Sequence, residues 1–564
     1  MEMKGRGMPR TVAIGVQSFA ELRERGHFLV DKTSFIADWW HSADQVTLIC
    51  RPRRFGKTLN MDMVECFFSN KYASRADLFN GLAVWGDADL RREQGAWPVV
   101  SLSFSAAKGA SAEAVVRRIC EQIARAWRQH RDDIDADSLG DQERDLLEGR
   151  TPFVDPMVAP NSLARLCELL EQSMGKRCIV LLDEYDTPLH EAWVGGFWHE
   201  VSEFVRAFFN SSFKSNPSME RALLTGITRV ARESIFSDLN NPKVVSATSP
   251  EYATSFGFTQ DEVFAAMEEF GLHERDQVKN WYDGFTFGGV PDIYNPWSIT
   301  NYLDSGRFVP YWANTSGNAL ISKIVREGDA ELKSDFEVLL SGGSVEKRFD
   351  EQVSFDELGR LPGAVWGLLV AGGYLRIEAA DPSHEDGSIL KITNHEVALS
   401  FDGMVRGWFD VVSSRYNAFV RALLAGDLDA MNVYMNDVAL DTFSTFDTGK
   451  RASGLEPERF YHGFVLGLLV ELRGRYLICS NRESGFGRYD VLLEPVDPKA
   501  DDGIVLEFKV HNPRKEATLE DTVSAAKQQI ADKRYANELE AKGLAPERIH
   551  AYGFAFEGKR VLIG

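Results

Sequence analysis

The chain has 564 residues, 44% hydrophobic and 26% charged, with a formal net charge of −21. That balance is globular and excludes a mostly disordered, collagen-like or disulfide-framework protein, and the length suggests about three to five domains or subdomains. The acidity argues against a protein that coats nucleic acid nonspecifically. Phe446–Gly564, however, carries 18 Lys and Arg against 19 Asp and Glu, and so nearly neutral a tail could bind DNA through a local basic patch.

In chain order, the opening MEMKGRGMPRTVAIG has no apolar core of signal-peptide length. No window approaches the roughly 18 uninterrupted apolar residues of a membrane-spanning helix. The six cysteines, Cys50, Cys66, Cys120, Cys167, Cys178 and Cys479, form no CxxC pair. A soluble cytoplasmic protein with buried, reduced thiols and no membrane partner is expected.

Residues 1–255 alternate apolar runs (Gln45–Cys50, Pro98–Phe104, Arg177–Asp183, Arg221–Thr225) with amphipathic helical stretches such as Ser111–His130 and Asn161–Met174. This βα alternation predicts an α/β domain with a mainly parallel sheet. Residues 256–402 open with a helix at Gln260–Phe270 and an aromatic-rich stretch, Trp281–Trp312. They then read helix (Ala364–Ala371), strand (Tyr374–Ile377) and strand (Ile389–Ile392), as in a winged-helix-like unit behind a helical lid. Residues 403–445 read as a helical connector. Residues 446–564 read as a second α/β domain, with helix Glu458–Leu472, strand Ile504–Val510, helix Leu519–Glu540 and strand Ala551–Glu557.

The strand VTLIC runs into Arg51-Pro-Arg-Arg-Phe-Gly-Lys-Thr58 and then an amphipathic helix. A phosphate-binding loop has this form: backbone N–H groups at a helix start face the phosphates, a Lys reaches the β and γ oxygens, and a hydroxyl ligates Mg²⁺. Arg54, Phe55, Gly56, Lys57 and Thr58 are the candidate nucleotide contacts, with Arg51 where the first Walker glycine usually stands. The strand Cys178-Ile-Val-Leu-Leu-Asp183-Glu184 ends in two acids. In a strand neighbouring the loop, Asp183 would hold Mg²⁺ and Glu184 would act on the attacking water. A third strand, ALLTGITRV, places polar Thr228 and Arg229 at its exit as candidate sensors of the terminal phosphate. Arg229 and Arg232 could contact phosphate in cis or across an oligomer.

In the last block, Glu507 and Lys509 interrupt an apolar strand and share a face, since side chains alternate along a strand. If the strand starting near Asp490 pairs with it, Asp490 can join them. Two carboxylates suit Mg²⁺ or Mn²⁺ and the Lys suits orienting water, the D…ExK pattern of restriction-type nucleases. Glu458 and His462 lie i, i+4 on the preceding helix, and Gln528 and Gln529 lie on the following one.

Taken together, FLVDKT (Phe28–Thr33), RPRRFGKT, LLDEYDTPL, TGITRVARESIFSDLNN, FGFT, WYDGF, YNPWS, YWANTS, ERFYHGF, SNRESGFGRYD and LEFK resemble the bacterial and archaeal proteins that join an AAA-ATPase-like domain to a C-terminal PD-(D/E)XK nuclease-like domain. The resemblance covers nearly the whole chain and makes Arg51 the usual residue at its position. It implies ATP with Mg²⁺ at the loop. It also implies catalytic Asp490, Glu507 and Lys509, Glu458 as a further acid at the metal, and Gln529 as the polar residue of the last helix. Where the family often has IPN, this chain has Ile392-Thr393-Asn394. Aromatic motifs such as WYDGF and YNPWS are expected to pack the lid's core. The expected activity is ATP hydrolysis that gates metal-dependent cleavage of nucleic acid, DNA first. The alternative is a STAND-type nucleotide switch whose C-terminal domain binds without cutting.

Overall fold

The computed structural model describes residues 10–135, 139–230, 242–312, 320–321, 323–324, 330–340, 342–349, 351–353, 362–380, 387–401, 413–442, 465, 469, 472, 475–480, 483–484, 487–488, 491–513, 515–533, 536–557 and 560–564. The chain forms two compact units, one of Met1–Ile324 with Gly342–Ser400, the other of Val325–Ser341 with Phe401–Gly564.

In the first unit, β1 (Val46–Cys50) and β3 (Cys178–Asp183) are unbroken apolar runs and every residue in them is buried, as central parallel strands covered on both faces require. They join β2 (Val99–Ser103), β4 (Met219–Gly226) and β5 (Lys243–Val245) in a parallel sheet of order β2-β3-β4-β1-β5. The helices α1 (Lys57–Phe68), α2 (Ala112–Gln129) and α3 (Ala159–Met174) pack against it. Ser111 caps α2 by accepting from the Ala114 N–H, and Gly175 ends α3 in the left-handed region. The predicted strands fall within two residues of those observed. β5 has no counterpart in the sequence reading, because three residues are too few to show a period. β4 lies between β1 and β3, so the acid-bearing strand is the loop strand's second neighbour and not, as expected, its first.

The same unit continues into 256–400. Phe258–Thr259, β6 (Phe285–Phe287) and β7 (Val290–Tyr294) form a small antiparallel sheet. A capping box between Thr259 and Glu262 starts α5 (Gln260–Phe270), preceded in the chain by α4 (Thr187–Gly195) and followed by α6 (Pro296–Ser305). Further on, β8 (Val345–Lys347), β9 (Leu375–Ala380) and β10 (Ser388–Ile392) form an antiparallel sheet in the order β8-β10-β9, with α7 (Pro362–Ala371) between β8 and β9 in the chain.

The second unit is built on a mixed sheet of β11 (Tyr476–Ser480), β12 (Val491–Pro495), β13 (Gly503–Val510), β14 (Ile549–Glu557) and β15 (Arg560–Ile563), in that order. Only β13 and β14 run parallel. Helix α10 (Leu519–Lys533) lies on β13 and β14, and Ala536–Ala541 is helical as well. On the other side, α8 (Ser413–Ala425) and α9 (Leu428–Thr442) share a core with the sheet through Phe419, Met431 and Met435 against Phe554 and Ile563. Among the described residues no helix is long and apolar enough to cross a membrane, and all six cysteines are free, five of them buried.

The edge of β15 is closed by side chains. The Asn432 amide donates to the Ile563 carbonyl at 2.8 Å and accepts from its N–H at 2.7 Å. Asn436, one turn along α9, does the same for Val561 at 2.7 and 2.9 Å. Two asparagines at i, i+4 thus stand in for a missing strand, covering an edge that would otherwise be an open template. Asn432→Ala or Asn436→Ala should each destabilise the second unit by about 1–3 kcal/mol, the usual cost of stranding part-buried backbone groups. Hydrogen exchange at the Val561 and Ile563 amides is the local readout, and unaltered exchange would remove α9 from the account of sheet stability.

Candidate nucleotide and nuclease sites

Gly56 (φ +78°) caps α1 and, with Arg54 (φ +66°), puts two left-handed residues into the turn between β1 and the helix. That conformation is free for Gly56 and strained for Arg54. It leaves the first N–H groups of α1 without helical partners, the usual anion-binding arrangement. The Lys57 ammonium is buried and folds back over the loop, donating to the Arg51 and Pro52 carbonyls at 2.8 and 2.7 Å. Burial lowers its pKa, and the carboxylates of Glu184 and Asp183 counter that.

The Thr58 hydroxyl donates to Asp183 Oδ2 at 2.7 Å, and the Thr225 hydroxyl donates to the other Asp183 oxygen. A hydroxyl at the start of α1 and a carboxylate at the end of β3 therefore meet across β4. Hard oxygen donors of this kind suit Mg²⁺. Glu184 follows with φ +53°, its carboxylate accepting from the Thr187 hydroxyl at 3.1 Å. Gly56, Lys57, Thr58, Glu184 and Thr187 line a cavity of about 410 Å³, within the ~300–1,000 Å³ of small-molecule sites. Val12, Phe28 and Trp297 also line it, as do Lys108, Asp186 and His190.

Thr228 and Arg229 are not brought to this cavity, which Gly226 and Ile227 line instead. Thr228 is fully buried. Its hydroxyl and N–H both donate to Asp186 Oδ2, at 3.0 and 2.9 Å, and the Ile227 N–H adds a third bond at 2.8 Å. Asp186 is 1% exposed and itself borders the cavity, and a carboxylate so buried requires these donors, which engage the Thr228 hydroxyl and N–H. His190 Nε2 lies 3.2 Å from the same hydroxyl. Arg229 belongs to a two-residue strand paired with Gln352–Val353. Arg232 lies outside the described residues. The sequence reading missed Asp186; its signal was a second acid two residues beyond Glu184, at the start of α4.

The aromatic motifs pack the 256–400 region, and they also grip the loop. Arg51 is fully buried, donates to the carbonyls of Cys50 (2.9 Å) and Ser246 (2.6 Å), and lies 4.4 Å over the Phe287 ring. Burial pushes its pKa down to about 10. The Arg53 carbonyl accepts from Asn295 Nδ2 (3.2 Å) and Trp312 Nε1 (3.1 Å). The Arg54 guanidinium stacks 4.5 Å over Trp297. Phe55 sits edge-on to Phe285 and Phe287 at 4.7 and 5.4 Å. The buried Glu396 carboxylate in turn accepts from the Trp312 N–H at 2.5 Å and the Ser298 hydroxyl at 2.7 Å, tying YWANTS to YNPWS.

In the second unit, Glu507 (3% exposed) and Lys509 project from one face of β13. Gln529 on α10 bridges them. Its amide nitrogen donates to Glu507 Oε1, and its oxygen accepts from Lys509 Nζ at 2.7 Å. The neighbouring Gln528 instead donates to Asp532 at 2.7 Å on the exposed side. Asp490, Glu458 and His462 lie outside the described residues, and among those that are described no three His, Cys, Asp or Glu side chains are grouped as metal ligands.

Comparison with known proteins agrees with this division. Residues 13–236 match the family described as "Predicted AAA-ATPase", and residues 456–564 match the "PD-(D/E)XK nuclease superfamily". An uncharacterized protein in the vnfD 5' region of Azotobacter chroococcum mcd 1 is 26% identical over 570 residues, covering 97% of this chain and 96% of that relative. The chain carries a predicted AAA-ATPase-like domain at its N-terminal end and a PD-(D/E)XK nuclease superfamily domain at its C-terminal end.

Proposed function

We propose that the chain binds and hydrolyses ATP at the Arg54–Thr58 loop and cleaves nucleic acid, DNA by first choice, at a metal-dependent site of its C-terminal domain. One observation carries the nucleotide half: Thr58, Asp183 and Lys57 converge at the mouth of the turn, with Glu184 next in the chain and on the cavity wall. Thr58 and Asp183 would hold Mg²⁺, which when bound neutralises phosphate charge. Lys57 exchanges its carbonyl partners for phosphate oxygens, the α1 N–H groups take further oxygens, and Glu184 receives the proton of the attacking water. The apolar wall of Val12, Phe28 and Trp297 suits the base.

At the C-terminal site, Gln529 between Glu507 and Lys509 supports the nuclease reading. The bridge fixes the rotamers of both side chains, so that Lys509 is aimed beside whatever Glu507 holds. Asp490, with Glu458, would complete the ligand set for Mg²⁺ or Mn²⁺, which supplies Lewis acidity toward the phosphate. In this reading, 256–402 is a lid with a winged-helix-like unit, supported by α7 followed by β9 and β10. The domain limits of 1–255, 256–402, 403–445 and 446–564 belong to the same proposal.

A STAND-type switch is the second reading, and the grip of Asn295, Trp297 and Trp312 on the loop favours it. A loop held by another region at successive residues can report its occupancy. Plasmid cleavage with Mg²⁺ or Mn²⁺, with and without ATP, separates the two readings: cutting in any nucleotide state favours the enzyme, and none in all states favours the switch.

Lys57→Ala should abolish nucleotide binding in titration calorimetry, since that ammonium sits at the phosphate cradle. Glu184→Gln should keep ATP affinity and lose turnover by roughly 10²–10⁴-fold, the ordinary size of general-base catalysis; normal turnover would place the base elsewhere. Lys509→Ala and Asp490→Ala should each abolish cleavage and leave the ATPase rate intact. A matching loss of ATPase activity would contradict the assignment of the two reactions to separate domains.

A further inference from the structure

The cavity wall offers a second lysine that the loop motif does not account for. After β2 the chain turns through residues 104–111 before entering α2, and the turn is pinned at two places. Ala107 is fully buried, its N–H bonded to the Phe104 carbonyl at 2.9 Å. Gly109 lies so close to the first turn of α2 that an added Cβ would fall 2.8 Å from the Ala114 Cβ. Lys108 stands between these anchors, its N–H bonded to the Ala106 carbonyl at 2.9 Å. Its backbone is fixed while its side chain is exposed.

That side chain lines the same cavity as Lys57, Thr58, Glu184, Thr187 and His190. Among the described residues the Lys108 ammonium has no hydrogen-bonded or ion-paired partner. The His190 imidazole is held below its ordinary pKa, by burial first and then by the charges of Arg53 and Lys108, against the pull of Asp186. The ammonium is therefore within electrostatic reach of His190, which lines the same cavity as Glu184. A nucleotide bound with its phosphates over Gly56–Thr58 would carry its terminal phosphate toward Glu184, in the cavity that Lys108 also lines. An unpaired, flexible point charge on a fixed loop suits a group present in one ligand and absent in another.

We propose that Lys108 is a second phosphate-binding lysine, which contacts the terminal phosphate of a nucleoside triphosphate and so distinguishes it from the diphosphate; this rests on the nucleotide reading above. The test is calorimetric titration of full-length protein with ATP·Mg²⁺ and ADP·Mg²⁺, using Glu184→Gln as the background so that ATP survives the measurement. Adding Lys108→Ala should weaken ATP about 10–100-fold and leave ADP within about twofold, and Lys108→Arg should recover part of the loss. Equal weakening of both nucleotides, or none, overturns the proposal. The underlying reading fails differently: if the Glu184→Gln background binds neither nucleotide, or if Lys57→Ala binds both unchanged, the nucleotide site itself is lost and Lys108 falls with it. The side chain is exposed, so circular dichroism of Lys108→Ala should match the parent and an affinity change reads as lost contact.

Discussion

Burial of the Asp183 carboxylate is the constraint from which the N-terminal unit is best understood. The group sits at the end of a fully buried strand and is 6% exposed. An ionised carboxylate in that position is costly unless donors meet both oxygens. Thr225 supplies one from the end of β4 and Thr58 supplies the other from the first turn of α1. Those two bonds tie the exits of two parallel strands and the start of the loop helix to one point. They fix where α1 begins, and with it where the unpaired N–H groups face. The same pattern recurs one turn further on, where Asp186 gathers the N–H groups of Ile227 and Thr228 and the Thr228 hydroxyl. Two buried acids thus set the geometry of two successive loops, and only the first was evident as a site residue beforehand.

What could be read in the sequence follows from the range over which its signals act. β1 and β3 declare themselves because strands buried on both faces must be apolar throughout. Lys57, Thr58 and Asp183 declare themselves because each stands at a strand exit or helix start, a local position. Gln529 came from its place one helix after β13, and the bridge to Glu507 and Lys509 distinguishes it from Gln528. The insertion of β4 between β1 and β3 is a property of pairing, which no local pattern contains. Asn295 and Trp312 reach the Arg53 carbonyl across 242 and 259 residues of chain, so their motifs read as core aromatics. Thr228 was assigned to phosphate on its polarity alone. In the structure its hydroxyl donates to Asp186, a partner that the pattern along one strand does not show.

Arg51 shows how a departure from a motif can carry a structural role. A glycine at that position serves loops whose backbone must turn without a side chain in the way. Here the side chain leaves the phosphate side altogether. It runs inward to the Ser246 carbonyl beyond β5 and the face of Phe287. A guanidinium remains charged under such burial where an ammonium would lose its proton, which is why the position suits Arg and not Lys. The consequence is that β1, the exit of β5 and the small antiparallel sheet of β6 and β7 are pinned by one residue at the root of the loop.

The loop is accordingly held from both ends of its length. Arg51 anchors its root, Asn295 and Trp312 hold its middle carbonyl, Trp297 covers Arg54, and Phe55 fills a pocket between Phe285 and Phe287. Lys57, meanwhile, bonds to the first two carbonyls of the same loop. If its ammonium transferred to a phosphate, as proposed, those two carbonyls would lose that donor. The proposed transfer would thus act on Arg51 and Pro52, and Arg51 is the residue that joins β1 to the 256–400 region through Phe287. A phosphate-binding loop gripped in this way gives up some freedom to adapt to its ligand. In return, the lysine proposed to sense phosphate and the arginine that anchors the neighbouring region act on the same peptide groups.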